Sequence, residues 1–318
     1  MSRSSSFAPT AGGLIALAIW SMTVALARSM SESLGAITAG SLTFLIGGSL
    51  SLLAALARGQ SLRSMLRLDR RYLLGCGAMF VAYMLCLYPA IALTIRRPRA
   101  VVLVVGLLNY LWPTLMVALS VPILGMKARR WALAVGCLLS LAGTGLATLT
   151  GLPAPAPGVA NASPGAASMP GWQLDLPSVA ALVLAAGAGL LWALYSDFAR
   201  RWNNSDQGAV PLFMLASSAA LGLLRAFLPE ETRWEGRAIA EMIALGVGSM
   251  AIAYMLWEAG VRRGNHRLLG LASYFLPIAS LAVAAAYLRV WPGTGLLAGG
   301  ALVVAGALVC KYSINDKS

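Results

Sequence analysis

Ten apolar runs of about 20 residues constrain this chain more than any other feature, because a run of that length crosses a bilayer as an α-helix. Of the 318 residues, 59% are hydrophobic and only 11% are charged. A transmembrane barrel would instead show short segments of alternating polarity. The sequence therefore predicts an all-α polytopic membrane protein with ten transmembrane helices. The predicted spans, numbered 1 to 10, cover residues 11–29, 36–57, 72–95, 100–125, 131–149, 178–199, 209–228, 239–261, 267–288 and 293–312.

A segment rich in proline, alanine and glycine separates the fifth run from the sixth. Residues 150–177 contain too many helix breakers for a regular helix, so we expect them to form a flexible linker. The chain then divides into one five-helix repeat at residues 1–149 and a second at residues 178–318.

Basic residues between the runs predict the orientation, because Lys and Arg are retained on the cytoplasmic side. If the N-terminus is cytoplasmic, 16 of the 24 Lys and Arg residues fall on inner segments, and most of the acidic residues fall outside. Both termini are therefore predicted to be cytoplasmic and the linker periplasmic. Three arginines on a short outer loop depart from this rule, and the sequence leaves open whether they line a solvated mouth or contact an anion. They are Arg96, Arg97 and Arg99.

Short strings recur in the same order in the two halves. Ala82-Tyr83-Met84-Leu85 returns as Ala253-Tyr254-Met255-Leu256, and Trp20 returns as Trp192. Each half also ends in a glycine-rich span. Together these matches indicate an internal duplication. Because each half has an odd number of spans, the second repeat is predicted to enter the membrane from the opposite side, as in alternating-access transporters.

A further recurring string places a proline in the middle of an apolar run. Asn109-Tyr110-Leu111-Trp112-Pro113 in span 4 returns as Ser273-Tyr274-Phe275-Leu276-Pro277 in span 9. Proline has no N–H, and its ring collides with the carbonyl four residues earlier. Pro113 and Pro277 are therefore predicted to kink their helices and to free the carbonyls of Asn109 and Ser273. Interrupted helices offer such groups to a substrate, although a kinked packing helix has the same pattern.

Other classes of function lack their characteristic residues. The net charge of +13 comes from basic clusters between the spans, so nucleic-acid binding is not expected. The four cysteines have no CxxC spacing and His266 is the single histidine, so neither a metal site nor a cofactor is expected. The absence of HExxH, GxSxG and P-loop motifs argues against an enzyme and against an ATP-driven pump. A secondary transporter and a channel remain.

The duplicated ten-span pattern, with a span-4 kink, a short basic turn and a glycine-rich fifth span, resembles the drug/metabolite transporter superfamily of the EamA type. The string from Asn109 to Pro113, Phe80-Val81-Ala82-Tyr83 and Ser273-Tyr274-Phe275 are similar to the exporters of aromatic amino acids in that superfamily. The similarity covers nearly the whole chain apart from the linker and the tail. Many relatives carry Gly-Glu after spans 4 and 9, whereas this chain has Met126-Lys127 and Arg289 there. No role of that glutamate is carried over.

Aromatic residues deep within the spans are the candidate lining of the substrate cavity that the resemblance implies. Core packing explains each of them equally well when it is taken singly. Tyr110 and Trp112 face different ways on a regular helix, so both line one cavity only if Pro113 distorts it. Glu258 is a candidate coupling residue, because ionisable groups inside spans are functional by default. The predicted substrate-binding residues are Tyr83, Leu87, Asn109, Tyr110, Trp112, Trp192, Tyr254, Trp257 and Tyr274.

The residues and the resemblance together predict a secondary transporter of the bacterial inner membrane that exports phenylalanine, tyrosine and tryptophan, with threonine carried less well. A cavity lined by rings without deep charges favours solutes whose bulk is apolar. The alternatives are export of other small apolar metabolites or drugs, and a channel-like facilitator. The expected partners are these small substrates and the lipid bilayer. The sequence leaves proton coupling and oligomeric state open.

Overall fold

The computed structural model describes four stretches of the chain, residues 7–95, 100–150, 176–203 and 208–314. Most of the predicted linker, both extreme termini and the arginine cluster of the outer loop (Arg96, Arg97, Arg99) lie outside these residues. The described residues form fifteen α-helices and two π-helical segments, with one isolated β-bridge. The α-helices are α1 (Phe7–Ser21), α2 (Thr23–Leu34), α3 (Ala36–Ala57), α4 (Leu62–Leu66), α5 (Gly77–Thr94), α6 (Ala100–Asn109), α7 (Trp112–Leu124), α8 (Arg130–Thr150), α9 (Leu176–Trp202), α10 (Val210–Phe227), α11 (Gly236–Ala244), α12 (Ala253–Arg263), α13 (His266–Ser273), α14 (Leu276–Leu288) and α15 (Thr294–Ser313). The π-helical segments are Arg71–Cys76, before α5, and Leu245–Ile252, between α11 and α12.

Nine helical segments of the described residues are long and apolar enough to span a membrane, and α14 is a shorter tenth. The prediction of an all-α polytopic membrane protein is confirmed. Span 1 consists of α1 and α2, span 4 of α6 and α7, span 8 of α11, its π-helical segment and α12, and span 9 of α13 and α14. Spans 2, 3, 5, 6, 7 and 10 are α3, α5, α8, α9, α10 and α15.

Span 1 is longer than the sequence predicted, because it continues to Leu34, and span 8 begins slightly earlier, at Gly236. The added turn of span 1 carries Glu32, whereas Glu241 lies within the predicted bounds of span 8. Each of them forms an ion pair with an arginine one turn earlier on its own helix, so the helix accommodates the charge.

Spans 4 and 9 are each interrupted between two α-helices. α6 ends at Asn109 and α7 begins at Trp112, so Pro113 stands in the first turn of the second helix. Proline is favoured there, because the N–H at that position has no partner within the helix. Pro277 has the same place in α14. We refer to these interruptions as the breaks in spans 4 and 9; the predicted kinks stay predictions.

The two breaks share one hydrogen-bond pattern. The N–H of Leu111 donates to the carbonyl of Leu108 at 3.1 Å, and the N–H of Phe275 donates to the carbonyl of Ala272 at 3.0 Å. Each bond spans three residues, which is the geometry of a 3₁₀ turn. Leu111 and Phe275 have matching positions in the recurring strings, so the same local structure occurs in both halves.

The spans pair across the two halves of the chain. Span 1 packs on span 8, span 3 on span 6, span 4 on span 6 and span 9 on span 1. Spans 2 and 7 pack on each other, as do spans 5 and 10. Each span has a counterpart five places along the chain. Replacing every span by its counterpart gives the same set of pairs. This is the pairing expected of two related halves, and the inverted topology stays a prediction.

Glycines bring spans 5 and 10 into backbone contact. A Cβ added at Gly143 would lie 2.6 Å from the carbonyl oxygen of Gly299, and a Cβ added at Gly136 would lie 2.7 Å from that of Gly306. Neither position leaves room for a side chain. These glycines therefore act in close helix packing.

The two ends of the bundle differ in charge. At the end that we name the acidic end, Glu32, Glu230 and Glu241 lie close to the ends of the spans. The Glu230 carboxylate accepts hydrogen bonds from the N–H groups of Ile37 and Thr38 at the start of α3, both at 3.0 Å. The opposite end, named the basic end, carries the loops that follow α3 and α7, with Arg70 and Arg129 among their basic residues, and the last turn of α9 with Arg201.

Candidate functional site

Aromatic side chains of spans 3 and 6 form a ring cluster inside the bundle. The ring centroids of Tyr83 and Trp192 lie 5.0 Å apart, and those of Trp192 and Tyr195 lie 5.1 Å apart. Phe80 completes the cluster, at 5.8 Å from Trp192 and 5.3 Å from Tyr195. Phe80 and Tyr195 are buried, whereas Tyr83 and Trp192 are partly exposed. Two predicted site residues, Tyr83 and Trp192, therefore lie side by side.

A second ring cluster joins spans 1 and 8. The Trp20 ring lies 5.1 Å from Tyr254 and 5.4 Å from Trp257, and its indole N–H donates to the Ser249 carbonyl at 3.1 Å. Tyr254 and Tyr83 pack against the same apolar core, so the two clusters are neighbours. The Trp20 and Tyr254 pair is the counterpart, in the recurring strings, of the Trp192 and Tyr83 pair. Each half thus contributes one tryptophan and one tyrosine, and each tryptophan contacts the tyrosine of the other half.

Asn109 places a polar group beside these rings at the end of α6. Its side chain lies beside that of Tyr83, and its Oδ1 is buried with no hydrogen-bond partner among the described residues. A buried acceptor without a donor is unfavourable by about 1–3 kcal/mol. Its main-chain carbonyl packs against α9, since a Cβ added at Gly189 would lie 2.8 Å from that oxygen. The side chain of Asn109 is thus an unpaired acceptor at this break, and the freed main-chain carbonyl stays a prediction.

Tyr110 and Trp112 follow Asn109 at the break in span 4. Both belong to one apolar cluster with Trp257 and Leu276, which the broken helix lets them reach together. Tyr110 is buried and faces Ser280 of α14 across a small cavity. Trp112 is partly exposed. A cavity of about 10 Å³ lies beside Tyr110 between spans 1, 4 and 9, which is room for about one water molecule.

The remaining predicted residues lie apart from these rings. Tyr274, the counterpart of Tyr110, is buried and lies near Cys310 of span 10. Leu87 is partly exposed and packs against the larger apolar core, one turn beyond Tyr83. Glu258 belongs to α12, but its side chain is outside the described residues. Tyr274 has no ring contact within the described part of the chain and is the predicted residue least associated with the site.

Three members of the ring clusters were not among the predicted site residues. Trp20 had a usable signal, because it matches Trp192 in the recurring pattern and related halves contribute matching side chains. Tyr195 lies three residues after Trp192, which places both on one face of α9. Phe80 is fully buried, and apart from its place in the string Phe80-Val81-Ala82-Tyr83 the sequence does not distinguish it from an ordinary core residue.

The two ring clusters and Asn109 together form the candidate site. They combine broad apolar faces and tyrosine hydroxyls with one unpaired amide oxygen, and none of these side chains is charged. No group of three or more metal-ligating side chains occurs among the described residues. Ring faces with a few fixed polar groups suit the binding of a small molecule that has a large apolar part.

The chain is similar to known membrane exporters over nearly its whole length. Residues 179–311 match the EamA-like transporter family. The aromatic amino acid exporter YddG of Ancylobacter novellus is 34% identical over 312 residues, which cover 97% of this chain and 98% of that protein. The proteins of the same name from Salmonella typhimurium and Escherichia coli are 27% and 25% identical, each over 94% of both chains. A protein of known crystal structure, 30% identical in sequence, superposes with a TM-score of 0.64 over 98% of both chains.

Proposed function

Because the chain belongs to the EamA-like transporter family, we propose that it is a secondary transporter that exports phenylalanine, tyrosine and tryptophan from the cytoplasm. It is a multi-pass membrane protein, and the relatives compared above are named as exporters of aromatic amino acids. Threonine and other small neutral amino acids would be carried less well, because they fill less of a site lined by rings.

The observation that carries this proposal is the unpaired Oδ1 of Asn109 beside the rings of Tyr83 and Trp192. The α-ammonium of an amino acid can donate to this oxygen, and hydrogen bonds to charged groups contribute about 1.5–3 kcal/mol. The substrate's own ring can stack on Tyr83 or Trp192, each aromatic pair adding about 0.5–1.5 kcal/mol beyond area burial. An apolar drug or metabolite without a donor would leave Oδ1 unpaired.

Matching ring pairs from the two halves suit alternating access. The Trp192 and Tyr83 rings are 5.0 Å apart, and the Trp20 and Tyr254 rings are 5.1 Å apart. In an inverted repeat, exchanging the conformations of the halves exposes a central site to each side in turn. We assign residues 1–149 and 178–318 to the two repeats and the basic end to the cytoplasm, where Lys and Arg are retained. Export then releases the substrate at the acidic end.

The experiment compares phenylalanine with 3-phenylpropionate, which has the ring and carboxylate but no ammonium. In liposomes containing the purified protein, labelled phenylalanine uptake should saturate. Excess tryptophan or tyrosine should inhibit it strongly, threonine weakly, and 3-phenylpropionate not at all. Asn109→Leu should raise the KM for phenylalanine about 10- to 100-fold, the loss of a hydrogen bond to a charged group. Asn203→Leu, at the basic end, is the control.

Two results would reject this assignment. Equal inhibition by phenylpropionate and by tryptophan would show that the ammonium is not recognised, and would favour a carrier of apolar metabolites. An unchanged KM in Asn109→Leu would remove the Asn109 side chain from the site.

A further inference from the structure

Glu241, near the start of span 8, joins three spans at the acidic end. Its Oε1 accepts hydrogen bonds from the Ser29 hydroxyl of span 1 at 3.0 Å and from the Tyr287 hydroxyl of span 9 at 2.6 Å. Arg237, one turn earlier in α11, donates to the same oxygen at 2.7 Å, and its guanidinium lies 5.5 Å from the Tyr287 ring centroid. We name these four residues the Glu241 cluster. One carboxylate oxygen thus holds spans 1, 8 and 9 in contact.

The contacts of Glu241 are strong because the group is buried. Glu241 is only 6% exposed. A hydrogen bond to an ionised carboxylate is stronger than a neutral one, and more so where water is excluded. Separating spans 1 and 9 while Glu241 stays buried would leave its charge without these donors, which is unfavourable. The cluster therefore opens only when water reaches this end of the bundle.

The cluster lies directly beyond the cavity beside Tyr110. That cavity is lined by Val24 of span 1 and by Ser280 of span 9. Val24 lies a little over one helical turn before Ser29, and Ser280 lies two turns before Tyr287. The cluster is therefore about 7–11 Å further toward the acidic end. A solute that leaves between spans 1 and 9 has to separate Ser29 from Tyr287.

The basic end has a contact at the matching positions of the other half. Nη1 of Arg201 in span 6 donates to the carbonyl oxygen of Ile123 in span 4 at 2.7 Å. Arg201 lies as many residues after Ser29 as Trp192 lies after Trp20. Tyr287 lies as many residues after Ile123 as Pro277 lies after Pro113. The two contacts thus join equivalent positions at opposite ends of the bundle.

We propose that the Glu241 cluster closes the substrate route at the acidic end and that its bonds from Ser29 and Tyr287 break in each transport cycle. The Arg201 and Ile123 contact closes the route at the basic end in the same way. This inference rests on the proposed transport function. Glu241 is a positioning residue, because it holds spans 1 and 9 together without touching the substrate.

The test measures access to a cysteine placed in the cavity, Ser280→Cys, after the four native cysteines are replaced by alanine. A small, charged, membrane-impermeant methanethiosulfonate is added to intact cells or to inside-out vesicles. Glu241→Gln removes the charge of the cluster, and Tyr287→Phe removes one hydroxyl. Glu231→Gln is the matched control, since Glu231 is an exposed acid in the loop before α11 at the same end.

Glu241→Gln and Tyr287→Phe should each raise the labelling rate in intact cells about three- to tenfold, the effect expected for one lost hydrogen bond on a two-state equilibrium. Labelling in inside-out vesicles should stay unchanged or fall, and Glu231→Gln should change neither rate. Unchanged rates in both cluster variants would overturn the proposal. A rise on both sides would also overturn it, because a generally loosened structure is not side-specific.

If Glu241→Gln does not reach the membrane, Tyr287→Phe alone tests the proposal. Labelling requires no substrate, so this result is independent of the substrate assignment. A one-sided rise in a protein that does not transport phenylalanine would reject the proposed substrate and support closure by Glu241. Unchanged labelling in a protein that does transport phenylalanine would support the proposed substrate and overturn closure by Glu241.

Discussion

Tyr110, at the break in span 4, lines the same small cavity as Ser280 of α14, and it belongs to the same apolar cluster as Leu276 at the break in span 9. The interrupted helices of the two halves therefore meet directly. Because these side chains pack together in a buried position, displacement of one break acts on the other half.

Removing the hydroxyls of Tyr110 and Ser280 together should cost less stability than the sum of the two single losses. Both side chains line one cavity, so Tyr110→Phe and Ser280→Ala should be coupled by about 0.5–3 kcal/mol in the free energy of unfolding. Thermal denaturation in detergent measures this, with Tyr312→Phe, an exposed tyrosine, as the control. Additive losses would mean that the two hydroxyls act independently.

The interface between spans 5 and 10 should reject even a methyl group. A Cβ at Gly143 would lie 2.6 Å from the Gly299 carbonyl oxygen, whereas a Cβ at Gly145 of the same helix meets nothing within 4 Å. Gly143→Ala should therefore lower the free energy of unfolding by about 1–3 kcal/mol. Gly145→Ala should leave it unchanged or raise it by up to about 1 kcal/mol. Equal thermal stabilities of the two variants would contradict this packing.

The proline at the break in span 4 should be dispensable. Pro113 lies in the first turn of α7, so alanine there restores no interior helix bond, and the break should persist with phenylalanine flux within about twofold of the wild type. Pro122 lies inside α7, and Pro122→Ala should raise stability by about 0.5–1.5 kcal/mol by adding a hydrogen bond. A large loss of flux in well-expressed Pro113→Ala protein would show that the ring itself shapes the route.

Cys137 and Cys310 should allow the two halves to be cross-linked without introduced cysteines. Their sulfur atoms are 3.8 Å apart between spans 5 and 10, and a disulfide needs about 2 Å. With a protease site inserted in the linker, oxidation by copper phenanthroline should keep the cleaved halves together on a gel until a reductant is added. Cys137→Ser should abolish this link. Separation of the halves after oxidation would contradict the observed pairing of these spans.

The spans and the interruptions of spans 4 and 9 were predictable, because apolar length and proline are local signals. The extra turn that carries Glu32 was not. A carboxylate next to an apolar run has the pattern of a loop residue, and its arginine partner on the same helix is known only from the structure. The packing of the break in span 4 also depends on tertiary structure, since Gly189 of α9 fits against the Asn109 carbonyl.

The candidate site was predictable only in part. Tyr83, Trp192 and Tyr254 lie together because the duplicated strings place equivalent rings on facing spans. The unpaired Oδ1 of Asn109 is a property of the folded chain, and no spacing in the sequence reveals it. Tyr274 shows the limit of arguing from the repeat. It matches Tyr110 in the sequence, yet it lies near Cys310 of span 10 and belongs to neither ring cluster.

Phenylalanine counterflow shows whether the protein is a carrier of aromatic amino acids that uses the rings of Tyr83 and Trp192. Liposomes that contain the protein and are preloaded with unlabelled tryptophan should accumulate labelled phenylalanine transiently, as a carrier does and a channel does not. Tyr83→Ala and Trp192→Ala should each lower the initial rate about tenfold at low substrate, because a ring contact is lost. Trp291→Ala, which removes a tryptophan that is 83% exposed, should retain it. Absence of trans-stimulation in the wild type, or full rates in both ring variants, would contradict the account.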